Sequence, residues 1–175
     1  MRYVALLRGI NVGGNTMIKM EELRHTFEAL GFNRVISYIN SGNLAFDAAG
    51  LTEAKLVARI EKAIEKDFGK MVSVMVREQK LIADIIRANP FHGLFASHKE
   101  MHVLFLKEAL PVEKEAMLLE AAFPGESYAV KNREIYCHLP QGVADSLLTK
   151  GFFEKKPKVN YTGRNWRTVE KLSEL

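Results

Sequence analysis

Apolar runs and helical stripes alternate along residues 1–78 in the order β-α-β-β-α-β, and that order admits few folds. Arg2-Tyr3-Val4-Ala5-Leu6-Leu7-Arg8 reads as a buried strand that runs into the loop Gly9-Ile10-Asn11-Val12-Gly13-Gly14-Asn15. Leu23, Phe27 and Leu30 recur at helical spacing between about Met20 and Leu30, with Gly31 as the stop. Val35–Ile39 is a second strand, Asn40-Ser41-Gly42-Asn43 has turn chemistry, and Leu44-Ala45-Phe46 returns as a third strand. Thr52 is an N-cap for a helix striped by Leu56, Ile60, Ile64 and Phe68 and ended by Gly69. Met71–Val76 closes the set as a fourth strand. The pattern predicts a ferredoxin-like α+β subdomain over residues 1–78.

A helix from about Gln79 to Ala88, ended by Asn89-Pro90, and a loop to His98 form a connecting segment over residues 79–98. Residues 99–175 then predict a second α+β subdomain. Its order is β-α-β-β-α: a strand over Met101–Leu106, a helix over Val112–Phe123, and a hairpin of Ser127–Val130 and Glu134–His138. A short helix follows near Val143–Leu148. A last helix over about Asn165–Leu175 carries Trp166, Val169 and Leu172 on one face. The whole is an α+β chain of two similarly arranged subdomains with extra connecting and C-terminal helices.

The topology implies a working surface. The first and second strands of such a sheet run the same way, so the loop after each lies at the same end. That end gathers Arg8, Gly9, Asn11, Gly13, Gly14, Lys19, Ser41, Gly42 and Asn43. Glycine lets a ligand approach backbone N–H groups, and such a rim suits an anion. The same residues also serve as ordinary tight connections that need positive φ. Charge supplies a second candidate surface. Of 175 residues, 25 are Lys or Arg and 21 Asp or Glu, a net +4. Lys150 to Lys171 alone carries seven basic residues against two acidic, +5, which leaves the remainder at −1. Arg164, Asn165 and Trp166 sit in that segment, where cations could meet phosphates and the indole could stack on a base. The counterpart reading is that Trp166 anchors the last helix and the charges solvate it.

Other chemistries find little support. Gly9-Ile10-Asn11-Val12-Gly13-Gly14-Asn15-Thr16 resembles a phosphate loop, but Asn15 replaces the lysine that reaches the phosphates. Cys137 neighbours His138 within a strand, so the two point to opposite faces. His98 and His102 lack the glutamate of a zinc helix, and no metal or cofactor is expected. Strand three lacks the basic-Gly-aromatic lead of an RNA-recognition motif. No catalytic residue is assigned. A lone cysteine, no export signal and no long uncharged apolar run point to a cytoplasmic protein without a membrane span.

Three motif stretches carry a resemblance: Ala5–Gly14 with Ile18-Lys19-Met20, then Tyr38–Asn43, then Thr162-Gly163-Arg164-Asn165-Trp166-Arg167-Thr168-Val169. Together they resemble the bacterial domain of unknown function 1697 family, whose closing motif runs T-x-R-N-W-x-T-V. The resemblance implies two α+β subdomains and brings no activity. Asn40 stands where that family's pattern expects glutamine, and Asn15 where lysine is common. The leading functional expectation is non-catalytic binding of an anionic partner, nucleic acid or nucleotide, at the rim and the basic segment. The alternatives are an enzyme acting on a small phosphorylated metabolite at the rim, and a protein-interaction module using the helix face around Trp166.

Overall fold

The computed structural model describes residues 1–14, 16–156 and 158–175. Asn15, which stands in the place of the phosphate-loop lysine, lies outside the described residues. The chain forms two compact units, Met1–Asp84 with Lys171–Leu175, and Ile85–Glu170. Among the described residues no helix is long and apolar enough to cross a membrane.

The first unit contains β1 (Arg2–Leu7), α1 (Met20–Ala29), β2 (Asn33–Tyr38), β3 (Asn43–Asp47), α2 (Glu53–Phe68) and β4 (Val74–Glu78). The antiparallel sheet order is β2-β3-β1-β4, the ferredoxin-like arrangement expected from the element order. Alternation along β1 sends Tyr3, Ala5 and Leu7 into a core with Leu23 and Phe27 of α1 and Leu56, Ile60 and Ile64 of α2. Thr52 caps α2 by accepting from the Lys55 N–H, and Gly69 ends it in the left-handed region. The fourth strand begins later than the sequence pattern suggests: Met71 is 90% exposed, and pairing continues through Arg77, which lies opposite Val4.

Two arginines meet on the end of β3. Arg34 Nε donates to Asp47 Oδ2, and Arg2 Nη1 donates to Oδ1 at 3.1 Å. These bonds, the one from Arg34 foremost, hold the Asp47 carboxyl below the usual carboxylate range. A depressed folded-state pKa stabilises the fold above the unfolded pKa of roughly 3.9 and loses that contribution as pH falls through the folded value. Asp47→Asn is therefore expected to lower the urea midpoint at pH 7. The gap between variant and parent should close on acidification, and a gap that persists unchanged at low pH counts against the assignment.

α3 (Gln79–Arg87) carries the chain into the second unit. That unit holds β5 (Met101–Leu106), α4 (Val112–Ala121), β6 (Ser127–Lys131), β7 (Glu134–His138), a 3-10 turn at Leu147–Lys150, α5 (Phe152–Lys155) and β8 (Tyr161–Asn165). Its antiparallel sheet order, β6-β7-β5-β8, repeats that of the first unit. The sequence pattern missed β8. Tyr-Thr-Gly-Arg-Asn lacks an apolar run, yet it pairs with β5 from His102↔Asn165 to Leu106↔Tyr161. The second unit is thus a complete βαββαβ repeat. The last helix, α6 (Trp166–Leu172), starts after that strand, with the Asn165 side chain accepting from the Thr168 N–H. It returns the chain to the first unit, where Arg2 Nε donates to Leu175 O at 2.7 Å.

Candidate functional site

The rim predicted from topology is present at one end of the first sheet. The Leu7 N–H donates to Gly42 O at 2.8 Å and the Arg8 N–H to Ser73 O at 2.9 Å. The connections after β1, after β2 and before β4 therefore meet there. Gly13 and Gly14 have φ of 62° and 77°, and the Asn11 N–H donates to Thr16 O, so the glycine pair turns a small hairpin.

Several rim groups are spent on this framework. Asn11 Nδ2 donates to Ile18 O and Asn40 O at 2.9 and 2.8 Å, while its Oδ1 accepts from the Ile18 N–H. The side chain expected to face a ligand instead ties the first loop to the second. Gly42 is buried, and a Cβ there would stand 2.7 Å from Leu7 Cβ. Its glycine makes room for the protein's own strand, not for a ligand. Asn43 is fully buried, with Nδ2 donating to Tyr38 O and Ser41 Oγ, which corrects its assignment as a ligand contact. Gly9, Gly13, Gly14 and Lys19 are exposed, while Arg8 and Ser41 are half-buried. Beside the hairpin lies an open cleft of about 710 Å³, lined by Asn11, Met17, Met20 and Asn40 together with Lys19, Glu21 and Glu22. Lys19 lies 3.5 Å from Glu22, and with Glu21 beside them the charged lining is net negative.

The C-terminal candidates separate in the second unit. Arg164 is 7% exposed on β8, and Nη1 donates to Thr162 Oγ1 and Gly163 O at 2.7 and 2.8 Å. Burial lowers its pKa to about 10, still charged at neutral pH. The register places Arg164 opposite Val103 as Arg77 is placed opposite Val4 in the first unit, and Arg77 is also buried. Arg164 is therefore one of a repeated pair of interior arginines and not a surface cation. Trp166 is 3% exposed and meets Phe95 edge-on at 5.8 Å. Burial removes the base-stacking role and the Trp166 interaction face together. Asn165 is exposed but caps α6.

Ahead of β8 the surface cations are Lys150, Lys155, Lys156 and Lys158, all exposed; Arg167, on α6, is exposed as well. Gly151 takes φ 68° between the 3-10 turn and α5, and Phe152 and Phe153 drive into the core beside Tyr161. The buried phenylalanines pin the segment while the lysines stand outward. The Tyr161 hydroxyl donates to Glu154 Oε1, the one carboxylate within the segment. Among the described residues none of the four lysines has an ion-pair partner.

The register also reveals a pairing that spacing hid. Cys137 stands opposite His102, not beside a usable His138, and Asn165 flanks His102 from the other side. Burial pushes the fully enclosed Cys137 thiol well up and the His102 imidazole down, the opposite of the shifts that activate a cysteine nucleophile. Among the described residues no group of three or more His, Cys, Asp or Glu side chains could hold a metal ion.

The chain matches, over 99% of its length and 97% of the other's, the structure of a conserved bacterial protein from Streptococcus pneumoniae, at 26% identity and a TM-score of 0.80. No curated protein matches it significantly. Residues 1–136 match the model of the protein family of unknown function DUF1697. With more than half of its length matched, this chain belongs to the DUF1697 family.

Proposed function

We propose that this protein is a non-catalytic nucleic-acid-binding protein whose second unit engages the phosphate backbone through Lys150, Lys155, Lys156 and Lys158. One observation carries the reading: four exposed lysines, with no ion pair among the described residues, stand on one short segment pinned by Phe152 and Phe153. Lysine is a mobile, hydrated point charge, suited to spaced phosphates more than to bidentate recognition of one group. A polyanion also fits an open surface better than a single nucleotide does, because sequence-independent binding needs several phosphates at once. The rim of the first unit contributes less to this reading, since its cleft is net negative. We place the activity in the cytoplasm, where a lone thiol such as Cys137 stays reduced.

The test is fluorescence anisotropy with short labelled RNA and duplex DNA across a salt series. Four phosphate contacts at about −0.7 to −0.9 each give a log–log slope near roughly −3. Replacing all four lysines with glutamine should remove most of that slope and weaken binding at low salt by more than about tenfold. Affinity undetectable even at low salt, or a slope untouched by the substitutions, overturns the proposal.

A further inference from the structure

In the two repeats, α1 and α4 occupy the same place, between the central first strand and the edge strand of each sheet. Their outward faces differ. α1 buries Leu23, Thr26 and Phe27 and exposes Glu21, Glu22, His25 and Glu28, as a solvated helix should. α4 buries only Leu118. Val112, Ala116 and Leu119, spaced i, i+4 and i+7, form a second apolar stripe turned to solvent, with Val112 79% and Leu119 52% exposed. Phe123, 38% exposed, extends it just past the helix end. The contrast with α1 shows that the architecture does not require this stripe.

The charges around the stripe select its occupant. Glu113 and Glu120 lie on one side of it and Glu115 on the other, while Lys114 projects toward the far side of the helix. A two-fold pairing of α4 with a second copy that set Ala116 against Leu119 would bring Glu113 of each copy beside Glu120 of the other on the flank they share, and such like-charge contacts disfavour a dimer. A helix flanked by cations meets the same acids favourably.

We infer that α4 is a docking face for an amphipathic helix of a partner protein, one whose apolar stripe is flanked by lysine or arginine. Val112, Ala116 and Leu119 supply the apolar contact, and the three glutamates supply orientation and selectivity. This face shares no residue with the lysine segment, so replacing Lys150, Lys155, Lys156 and Lys158 leaves its side chains unchanged.

The probes are two labelled leucine-striped helical peptides, one with lysine flanks and one with glutamate flanks, titrated against the full chain by anisotropy. The lysine-flanked peptide should bind at least about tenfold more tightly. Leu119→Glu should weaken it by about tenfold or more. Val112→Glu should act in the same direction, and both variants should keep the parent's thermal midpoint because the positions are exposed. Glu113→Lys combined with Glu120→Lys should invert the preference between the peptides. Equal binding of both peptides, no binding of either, or indifference to Leu119→Glu overturns the inference. So does a concentration-dependent dimer that Leu119→Glu dissociates, since the occupant would then be a second copy.

Discussion

Gly42→Ala should destabilise the first unit by about 2–5 kcal/mol, the largest effect expected of a one-carbon change in this chain. Two costs add. The φ of 78° lies in the left-handed region, where an L side chain costs about 1–2 kcal/mol. The new Cβ would also stand 2.7 Å from Leu7 Cβ and 3.0 Å from Ile10 Cδ1. Leu7 Cβ is fixed to the backbone of β1, so relief requires moving a central strand, and overpacking of this kind costs about 1–3 kcal/mol. The same movement would break the bond from the Leu7 N–H to Gly42 O that closes the rim. Gly13→Ala is the control. Its φ is 62°, but a Cβ there meets nothing within 4 Å, so only the conformational cost of about 1–2 kcal/mol applies. Urea unfolding of the two variants separates the costs. If Gly42→Ala proves no worse than Gly13→Ala, the steric account of the rim is wrong.

Gly42 also marks how far the sequence could be read. Its neighbours announced a turn, and topology placed that turn beside the first loop, as the bonds from Leu7 and Asn11 show. Whether its missing side chain served a ligand or the fold was decided by Leu7, a residue 35 positions away that no local pattern connects to it. The same limit applies to Asn11 and Asn43, whose amides look available in a Gly/Asn loop and are spent on carbonyls and a hydroxyl. β8 was hidden for a different reason. Its Gly163 is packing chemistry, since a Cβ there would lie 3.1 Å from Leu104 Cδ2, and its Arg164 is an interior residue satisfied by Thr162 and Gly163. Periodicity registers apolar side chains, and here a glycine and an arginine hold strand positions that such residues usually fill. α4 was legible as a helix, but apolar residues on both faces blur its period and conceal that one face is unpartnered.

Trp166→Ala should cost about 3–5 kcal/mol and act on the second unit, because it empties a buried indole site that the chain cannot refill locally. Trp166 is 3% exposed, packs edge-on against Phe95 and begins α6 directly after β8. Arg167→Ala, one residue on and exposed, should stay within about 0.5 kcal/mol of the parent. As the chain's one tryptophan, Trp166 also reports on itself. A buried indole emits as an apolar fluorophore until it unfolds, whereas an indole that stacks on bases loses emission when nucleic acid binds. Saturating RNA is therefore expected to leave the emission of the folded protein nearly unchanged, while the four-lysine variant loses binding. Strong quenching by RNA, with Trp166→Ala folding normally, would return Trp166 to the binding surface. Unfolding without quenching assigns it to the junction of β8 and α6, where Asn165 caps the helix and Arg164 lies buried one residue before.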